Sequence, residues 1–151
     1  MRLVTATARR PVPIDPRGPR CNQAVLCVAL LAGFVYDLWL VVPLFAVVLL
    51  MGAVFGPKYG PVLRFYAVVI KPRLKPPAHL EDPRPPRFAA AIGVLFLASA
   101  TAAFVADLAA LGWVLALVVA ALAGLAAATG ICIGCEAWLM IAQHRNVELV
   151  A

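Results

Sequence analysis

Two cysteines near the end of the chain, Cys132 and Cys135, are the residues whose type and spacing are best suited to chemistry. Residues three apart share a face of a helix, so the two thiols can form a disulfide or bind one soft metal ion. The thiolate is the reactive form of cysteine, and a helix N-terminus favours it whereas a helix C-terminus disfavours it. Glu136 follows the pair and disfavours a thiolate in both settings. The chemistry of the pair therefore depends on where the helices around it begin and end.

The sequence leaves two alternatives for those helix boundaries. The last of four apolar stretches in the chain runs from Leu108 to about Gly130 and is predicted to be a helix. This fourth helix either continues through Gly130 to His144, or it breaks at Gly130 and a new helix begins beside Cys132. In both cases the cysteines lie near the cytoplasmic boundary, because about 20 residues already cross the membrane before Gly130. Only the broken helix places the pair at a helix N-terminus.

Cys21 and Cys27 are the other two cysteines of the chain. Cys21 is the first residue of the first apolar stretch, and it is expected to lie near the cytoplasmic boundary of the membrane, at the same depth as the pair. It would add a third thiolate if the first and fourth helices were neighbours, and three thiolates suit Cu(I) or Zn(II). Cys27 lies about two helical turns deeper and is expected to pack. No cofactor is expected apart from this metal alternative.

The composition is that of a membrane protein. Hydrophobic residues make up 64% of the chain and charged residues 13%, compared with roughly 45–50% and 25% in soluble proteins. The sequence contains four apolar stretches: Cys21 to Tyr36, Leu38 to Phe55, Phe88 to Ala106, and Leu108 to about Gly130. A membrane span needs about 20 residues, so the first stretch is the weakest of the four predicted spans.

An internal repeat organises these stretches into two hairpins. The segment Asp15 to Arg20 returns as Asp82 to Arg87, and each copy opens two apolar stretches joined by a turn at Asp37 or Asp107. The duplicated charges are expected to pair or to cap the starts of the spans, with binding to an anionic leaflet or a phosphate as the alternative. These charged residues are Asp15, Arg17, Arg20, Asp82, Arg84 and Arg87.

Small residues recur every fourth position in the third and fourth stretches. Such stripes let helix backbones approach closely, so the third and fourth helices are expected to pack together. The stripes consist of Ala98, Ala102 and Ala106, and of Ala116, Ala120, Gly124 and Ala128.

The predicted fold is an all-α membrane protein with four transmembrane helices as two duplicated hairpins. A cytoplasmic interfacial helix follows the second span, and Pro61 is a suitable first residue for it. The chain divides into a cytosolic Pro/Arg-rich arm (1–20), the first hairpin with the interfacial helix (21–70), a cytosolic Pro-rich linker (71–87), and the second hairpin with the cysteine pair and a tail (88–151).

The distribution of charge predicts the orientation. All 13 Lys and Arg residues lie in the arm, in residues 56–87 or in the tail, whereas the two turns carry Asp37 and Asp107 and no base. Because positive residues mark the cytoplasmic side, both termini are predicted to be cytoplasmic, in a bacterial inner membrane. Contact with the lipid bilayer accounts for the basic patches without a nucleic acid. The predicted spans lack Asp, Glu, Lys, Arg and His, which argues against a charge-coupled transporter acting alone.

Four motifs resemble those of an uncharacterised bacterial membrane family, a domain of unknown function. The motifs are D-P-R-x-x-R at Asp15 to Arg20, F-G-P at Phe55 to Pro57, E-D-P-x-P-x-R-F at Glu81 to Phe88, and G-x-C-x-G-C-E at Gly130 to Glu136. Ile131 stands where the family has an aromatic residue. The resemblance implies the four-helix topology, the thiol pair, and a cytosolic thioredoxin-like or sulfurtransferase partner.

Three functional hypotheses follow. In the leading one, the pair exchanges disulfides or sulfur with a soluble partner, with Cys132 as the attacking thiol and Cys135 as the resolving thiol. In the second, Cys132, Cys135 and Cys21 bind a soft metal. In the third, the protein is a non-catalytic scaffold whose cysteines only pack. The sequence leaves homo-oligomerisation open.

Overall fold

The computed structural model describes residues 13–56, 59–77 and 79–144, and within these residues the chain is helical. The helices are α1 (Arg17–Val35), α2 (Val41–Phe55), α3 (Pro61–Phe65), α4 (Arg84–Val105), α5 (Ala109–Thr129) and α6 (Ile133–His144). A π-helical turn (Tyr66–Ile70) and a 3-10 turn (Lys71–Arg73) extend α3. The predicted arm falls largely on residues 1–12 and the predicted tail on 145–151, which lie outside the described residues.

Three helices, α1, α4 and α5, are long and apolar enough to cross a membrane, with 19, 22 and 21 residues. The all-helical, membrane-like character predicted from the composition is thus confirmed. The first span is longer than predicted because α1 begins at Arg17 rather than at Cys21, and Pro19 is tolerated in a first turn whose N–H groups lack helical partners. The shortest of the four predicted spans is instead α2, with 15 residues, because its first residue is Val41 rather than Leu38.

The two hairpin turns have the same backbone geometry. Asp37 and Asp107 both have positive φ, at 53° and 60°, a conformation that Asp adopts more readily than most residues. Their N–H groups donate to the carbonyls of Phe34 at 3.3 Å and Phe104 at 3.1 Å. The indole of Trp113 donates to the Asp37 carboxylate at 3.2 Å. The turns therefore lie side by side at the end of the bundle that is distant from the cysteine pair.

The helices pack across the two halves of the chain. Helix α1 packs mainly against α5, α2 packs against α4, and α4 also contacts α5 and α6. The predicted contact between the third and fourth apolar helices, α4 and α5, is present, but only one of the two predicted stripes is buried. Ala116 and Ala120 of α5 are buried, whereas the α4 stripe beginning at Ala98 is exposed. The buried face of α4 instead carries Leu97 and Ala100, because α4 must face α2 as well as α5.

Asp15 and Asp82, the aspartates of the two D-P-R segments, lie at the starts of α1 and α4. The Asp15 carboxylate accepts a hydrogen bond from the N–H of Arg17 at 3.0 Å, and that of Asp82 accepts from the N–H of Arg84 at 2.8 Å. Asp15 also accepts from the Tyr66 hydroxyl at 3.2 Å. Asp82 is buried and forms an ion pair with the Arg84 guanidinium at 2.6 Å. The equivalent aspartates therefore share a backbone contact and differ in their side-chain partners.

Arg20 and Arg87, the last arginines of the two D-P-R segments, each reach the end of a helix in the other half of the chain. The Arg87 guanidinium donates to the carbonyls of Ala53 at 3.1 Å and Val54 at 2.8 Å, in the last turn of α2. The Arg20 guanidinium lies against Gly130, at the end of α5. A cation near a helix C-terminus is stabilising because it faces the unpaired carbonyls and the negative end of the dipole. These contacts tie the two halves together at the end of the bundle that carries the cysteines.

Removing the two aspartates should have unequal effects on stability. Asp82→Ala should lower the free energy of unfolding by about 1–3 kcal/mol, because it leaves the partly buried Arg84 guanidinium without its carboxylate. Asp15→Ala is the matched control, and we expect a loss of about 0.5–1.5 kcal/mol, because it removes an exposed backbone contact and the hydrogen bond from the Tyr66 hydroxyl but no ion pair with an arginine at the helix start. Thermal unfolding of both variants in one detergent measures the difference, and equal losses would contradict it.

Candidate functional site

The fourth apolar helix breaks at Gly130, which decides between the two alternatives left by the sequence. Gly130 adopts a left-handed conformation with φ 78°, and its N–H donates to the Ala126 carbonyl at 2.9 Å. This is the usual C-terminal signal of a helix, because glycine adopts positive φ without a steric penalty. Helix α6 begins three residues later at Ile133. The cysteine pair thus belongs to the start of α6, not to the end of α5.

Cys132 caps the N-terminus of α6. Its carbonyl accepts the first helical hydrogen bond, from the N–H of Glu136 at 2.9 Å, which makes it the residue immediately before the helix. Its sulfur accepts hydrogen bonds from the backbone N–H groups of Gly134 and Cys135. These are the second and third helical positions, whose N–H groups a capping side chain normally satisfies. The Cys135 thiol donates a further hydrogen bond to the same sulfur.

The two thiols have opposite ionisation tendencies. The hydrogen bond from the Cys135 thiol, together with those from the backbone N–H groups, lowers the pKa of Cys132 to about 6, although burial and the charge of Glu136 oppose the shift. The pKa of Cys135 is raised, first by the hydrogen bond that it donates to Cys132, then by burial and by the charge of Cys132. The carboxylates of Glu81 and Glu136 raise it further. The pair is therefore one thiolate held by one thiol.

A cavity of about 380 Å³ adjoins both cysteines. It lies between the start of α1, the residues that lead into α4, and α6, and its walls carry the charged residues Arg20, Glu81, Asp82 and Glu136. Cys132 also borders a second cavity of about 210 Å³, whose walls are mainly apolar residues of the bundle. Cys132 thus lies between a polar cavity at the end of the bundle and an apolar cavity within it.

Glu81 is a site residue that the sequence-based reasoning missed as such. A two-way backbone bridge holds it, in which its N–H donates to the Ile14 carbonyl and its carbonyl accepts from the Ile14 N–H, both at 2.8 Å. The bridge brings the linker beside the start of α6, so that the carboxylate acts on Cys135. No local spacing signals this proximity, because the two residues are far apart in the chain.

Gly134, between the two cysteines, lets α6 lie close against α4. A side chain at this position would place its Cβ 2.8 Å from the Cβ of Ala89 and 2.9 Å from its Cα, well inside ordinary contact distance. The rings of Phe88 and Trp138 pack 5.5 Å apart between the same two helices. The capping sulfur is therefore fixed relative to α4 by direct packing of α6.

The remaining cysteines are placed separately from the pair. The Cys27 sulfur packs against Gly124, where an added Cβ would lie 3.0 Å from it, as expected for a packing residue. Cys21 lies on α1, and α1 neighbours α5 as the metal hypothesis requires. Across residues 13–56, 59–77 and 79–144, however, no three His, Cys, Asp or Glu residues are grouped to hold a metal ion. The structure brings together Cys132 and Cys135 and leaves Cys21 outside the pair.

A side chain at Gly130 should disturb both the fold and the thiolate. Gly130→Ala is expected to lower the free energy of unfolding by about 1–2 kcal/mol, because the left-handed conformation disfavours a Cβ and the Arg20 guanidinium occupies its place. Gly52→Ala is the matched control, since its Cβ would meet no atom within 4 Å. Thermal unfolding and the pH dependence of Cys132 alkylation measure both effects. An unaltered Gly130→Ala variant would contradict the role of this break.

A family model described as a domain of unknown function, DUF4395, matches residues 14–143. No curated protein and no solved structure matches the chain. The matched range includes both D-P-R segments, helices α1 to α5, all but the last residue of α6, and the cysteine pair.

Proposed function

The chain belongs to the DUF4395 family, a domain of unknown function, and we propose that it exchanges disulfides with a soluble partner through Cys132 and Cys135. The observation that carries this proposal is the N-terminal cap of α6, where one sulfur accepts two backbone N–H bonds and a thiol hydrogen bond. A thiolate is the attacking species in disulfide exchange. A packing cysteine needs none of these contacts.

The exchange takes two steps at named sulfurs. The Cys132 thiolate attacks a disulfide of the partner, a mixed disulfide forms, and the other partner sulfur leaves as a thiolate and takes up a proton. Cys135 then loses its proton to solvent and attacks the Cys132 sulfur, which releases the second partner thiol and leaves the Cys132–Cys135 disulfide. The pair has lost two electrons and the partner disulfide has gained them. The reverse sequence returns the pair to the dithiol.

The pairing of the two thiols favours this order of events. The pKa of Cys135 is raised most by its hydrogen bond to Cys132 and also by the charge of Cys132. Both causes disappear when Cys132 enters a mixed disulfide, so Cys135 becomes easier to deprotonate when it has to resolve that intermediate. The same thiolate can take the outer sulfur of a partner persulfide, releasing the partner thiolate, which is the sulfur-transfer form of the proposal.

We also propose that the site faces the cytoplasm and that α2 completes four spans. The basic residues that the structure describes lie at the end of the bundle that carries the cysteines, and the turns at the other end are acidic, which fits the positive-inside rule. Helix α2 is about 22 Å long at 1.5 Å per residue. It can therefore cross the membrane only if the bilayer is locally thinner or if the apolar turn before Val41 adds to the span. The packing of α2 against α4, which is long enough to span the membrane, supports α2 as the fourth span.

A duplication of one hairpin is part of the same proposal. The two turns share their hydrogen bonds, the two aspartates accept the same backbone bond, and the two arginines face helix ends in opposite halves. These correspondences support two copies of one ancestral unit. Only the second copy carries the cysteine pair, so the exchange chemistry belongs to one half of the bundle.

Exchange with glutathione disulfide tests the proposal in purified protein. We expect the wild-type protein in detergent to form the Cys132–Cys135 disulfide, with Cys27 remaining reduced, as read by mass spectrometry of each cysteine. The double variant Cys132→Ser/Cys135→Ser is the control. Slow, unselective glutathione adducts on all four cysteines would sink the proposal. Cu(I) or Zn(II) bound stoichiometrically by Cys132, Cys135 and Cys21, with loss of exchange, would favour the metal alternative instead.

A further inference from the structure

The apolar cavity beside Cys132 is the feature that the proposed exchange with a soluble partner leaves unused. It has a volume of about 210 Å³ and is lined by side chains of the bundle helices as well as by Cys132. An engineered cavity of about 150 Å³ holds a benzene molecule. This cavity therefore has room for one substituted six-membered ring in reach of the attacking thiol.

Two polar side chains interrupt the apolar wall. Asn22 and Gln23, in the first turns of α1, both line the cavity, and both are half-buried. Within the part of the chain that the structure describes, neither amide makes a side-chain hydrogen bond to protein. Amide N–H groups are donors for carbonyl oxygens. The wall thus combines apolar surface for a ring with unused donors, as expected of a small-molecule site.

Part of the cavity wall lies at the outer, apolar surface of the bundle. Phe96 of α4 and Leu122 of α5 line it, and they are 36% and 41% exposed. Arg87 also borders it, but its guanidinium donates to the carbonyls at the end of α2 and so is not directed to a ligand headgroup. An apolar ligand dissolved in the bilayer is the chemical class that fits this surface.

We propose that this cavity binds the ring of a membrane-dissolved quinone, which accepts the electrons of the Cys132–Cys135 dithiol. The inference rests on the proposed exchange function and names the second substrate of the same site. A quinone is apolar, carries two carbonyl oxygens, and takes up two electrons and two protons, which are what a dithiol gives up when it becomes a disulfide.

The step balances without another reactant. The Cys132 sulfur bonds to a ring carbon, and Cys135 then attacks that sulfur. The sulfur–sulfur bond forms as the sulfur–carbon bond breaks, and the bonding electron pair stays with the ring. Cys135 supplies one proton to the ring oxygens, and solvent supplies the other, which replaces the proton that Cys132 released when its thiolate formed. In sum, one dithiol and one quinone give one disulfide and one hydroquinone. A soluble partner dithiol then reduces the disulfide by the exchange described above.

Anaerobic reduction of a short-tailed, fully ring-substituted benzoquinone tests the proposal on the reduced full-length protein in lipid nanodiscs. The quinone absorbance in the ultraviolet reports its reduction, and mass spectrometry reports the disulfide. Gly52→Leu should reduce the volume of the cavity, because Gly52 lines it and an added Cβ there would have no atom within 4 Å. Ala121→Leu, on an exposed position of α5 outside the cavity lining, is the matched control.

We expect the wild type to reduce one quinone per disulfide formed. Gly52→Leu should be at least about tenfold slower with the quinone, while both leucine variants exchange with glutathione disulfide at the wild-type rate. A wild type that exchanges with glutathione disulfide but leaves the quinone unreduced overturns this inference and leaves the proposed function intact. So does a Gly52→Leu variant that reduces the quinone as fast as Ala121→Leu. A wild type that exchanges with neither reagent overturns both proposals.

Discussion

Cys135→Ser is expected to trap a soluble partner as a mixed disulfide that accumulates in cells, because the resolving thiol is gone while the attacking thiolate remains. Cys132 keeps its two backbone hydrogen bonds in this variant, and a serine hydroxyl can replace the thiol donor. The adduct should be a distinct species on a non-reducing gel, disappear on reduction, and yield the partner by mass spectrometry. In the wild type, resolution by Cys135 keeps the same adduct transient.

The matched variant is Cys132→Ser, which should give no adduct. Its remaining thiol, Cys135, lies within the helix rather than at the cap, and burial together with the carboxylates of Glu81 and Glu136 still raises its pKa. Cys27→Ser serves as a second control at a packing position. Equal partner capture by Cys135→Ser and Cys132→Ser would refute the assignment of attacking and resolving roles, because either sulfur would then serve as the nucleophile.

The alkylation rate of Cys132 should follow a titration with its midpoint near pH 6. The pKa of about 6 makes roughly nine-tenths of this thiol ionised at pH 7, whereas an ordinary cysteine with a pKa of about 8.5 is only roughly 3% ionised. Because the pKa is lowered, the reactive form is present above pH 6 and is lost as the pH falls through this value. Cys135 should remain slow over the same range, since its pKa is raised.

The midpoint of the titration is a better observable than the absolute alkylation rate. A lower pKa gives a larger fraction of thiolate but also a weaker nucleophile, and these two effects on the rate partly cancel. Cys135→Ala should move the midpoint upward, since it removes the hydrogen bond that contributes most to the low pKa. Site-resolved mass spectrometry after timed iodoacetamide labelling provides the curve for each cysteine. A midpoint for Cys132 near that of ordinary thiols, unchanged in Cys135→Ala, is the outcome that contradicts the capped thiolate.

The helical hairpins were predictable because apolar length and turn chemistry are local signals. The stretches on either side of Asp37 and Asp107 are visible in the sequence, and the structure places both aspartates in left-handed turns. The exact ends of the helices were harder to predict from the sequence. Helix α1 starts earlier than its apolar stretch because Arg17 and Pro19 enter the first turn, and a polar first turn is not part of a hydropathy signal.

The site was only half predictable, for a related reason. The spacing of Cys132 and Cys135 and the glycine at 130 are local, and they sufficed to define the pair and the two alternatives for α6. The choice between the alternatives depended on how Gly130 packs under Arg20, a contact between residues distant in the chain. The same holds for Glu81, which the backbone bridge to Ile14 brings to the pair, and for the α4 face that packs, which depends on α2.

Acid-quenched differential alkylation of intact cells, with mass spectrometry of each cysteine, tests most directly whether Cys132 and Cys135 act as an exchanging pair. Cells would be treated with a mild thiol oxidant and allowed to recover, and Cys27 in the same protein would serve as the internal reference. Reversible and joint oxidation of Cys132 and Cys135, with Cys27 reduced throughout, is the result that the exchange function predicts. A pair that stays reduced under the oxidant, or that oxidises no more than Cys27, would contradict it and leave metal binding or a scaffold role.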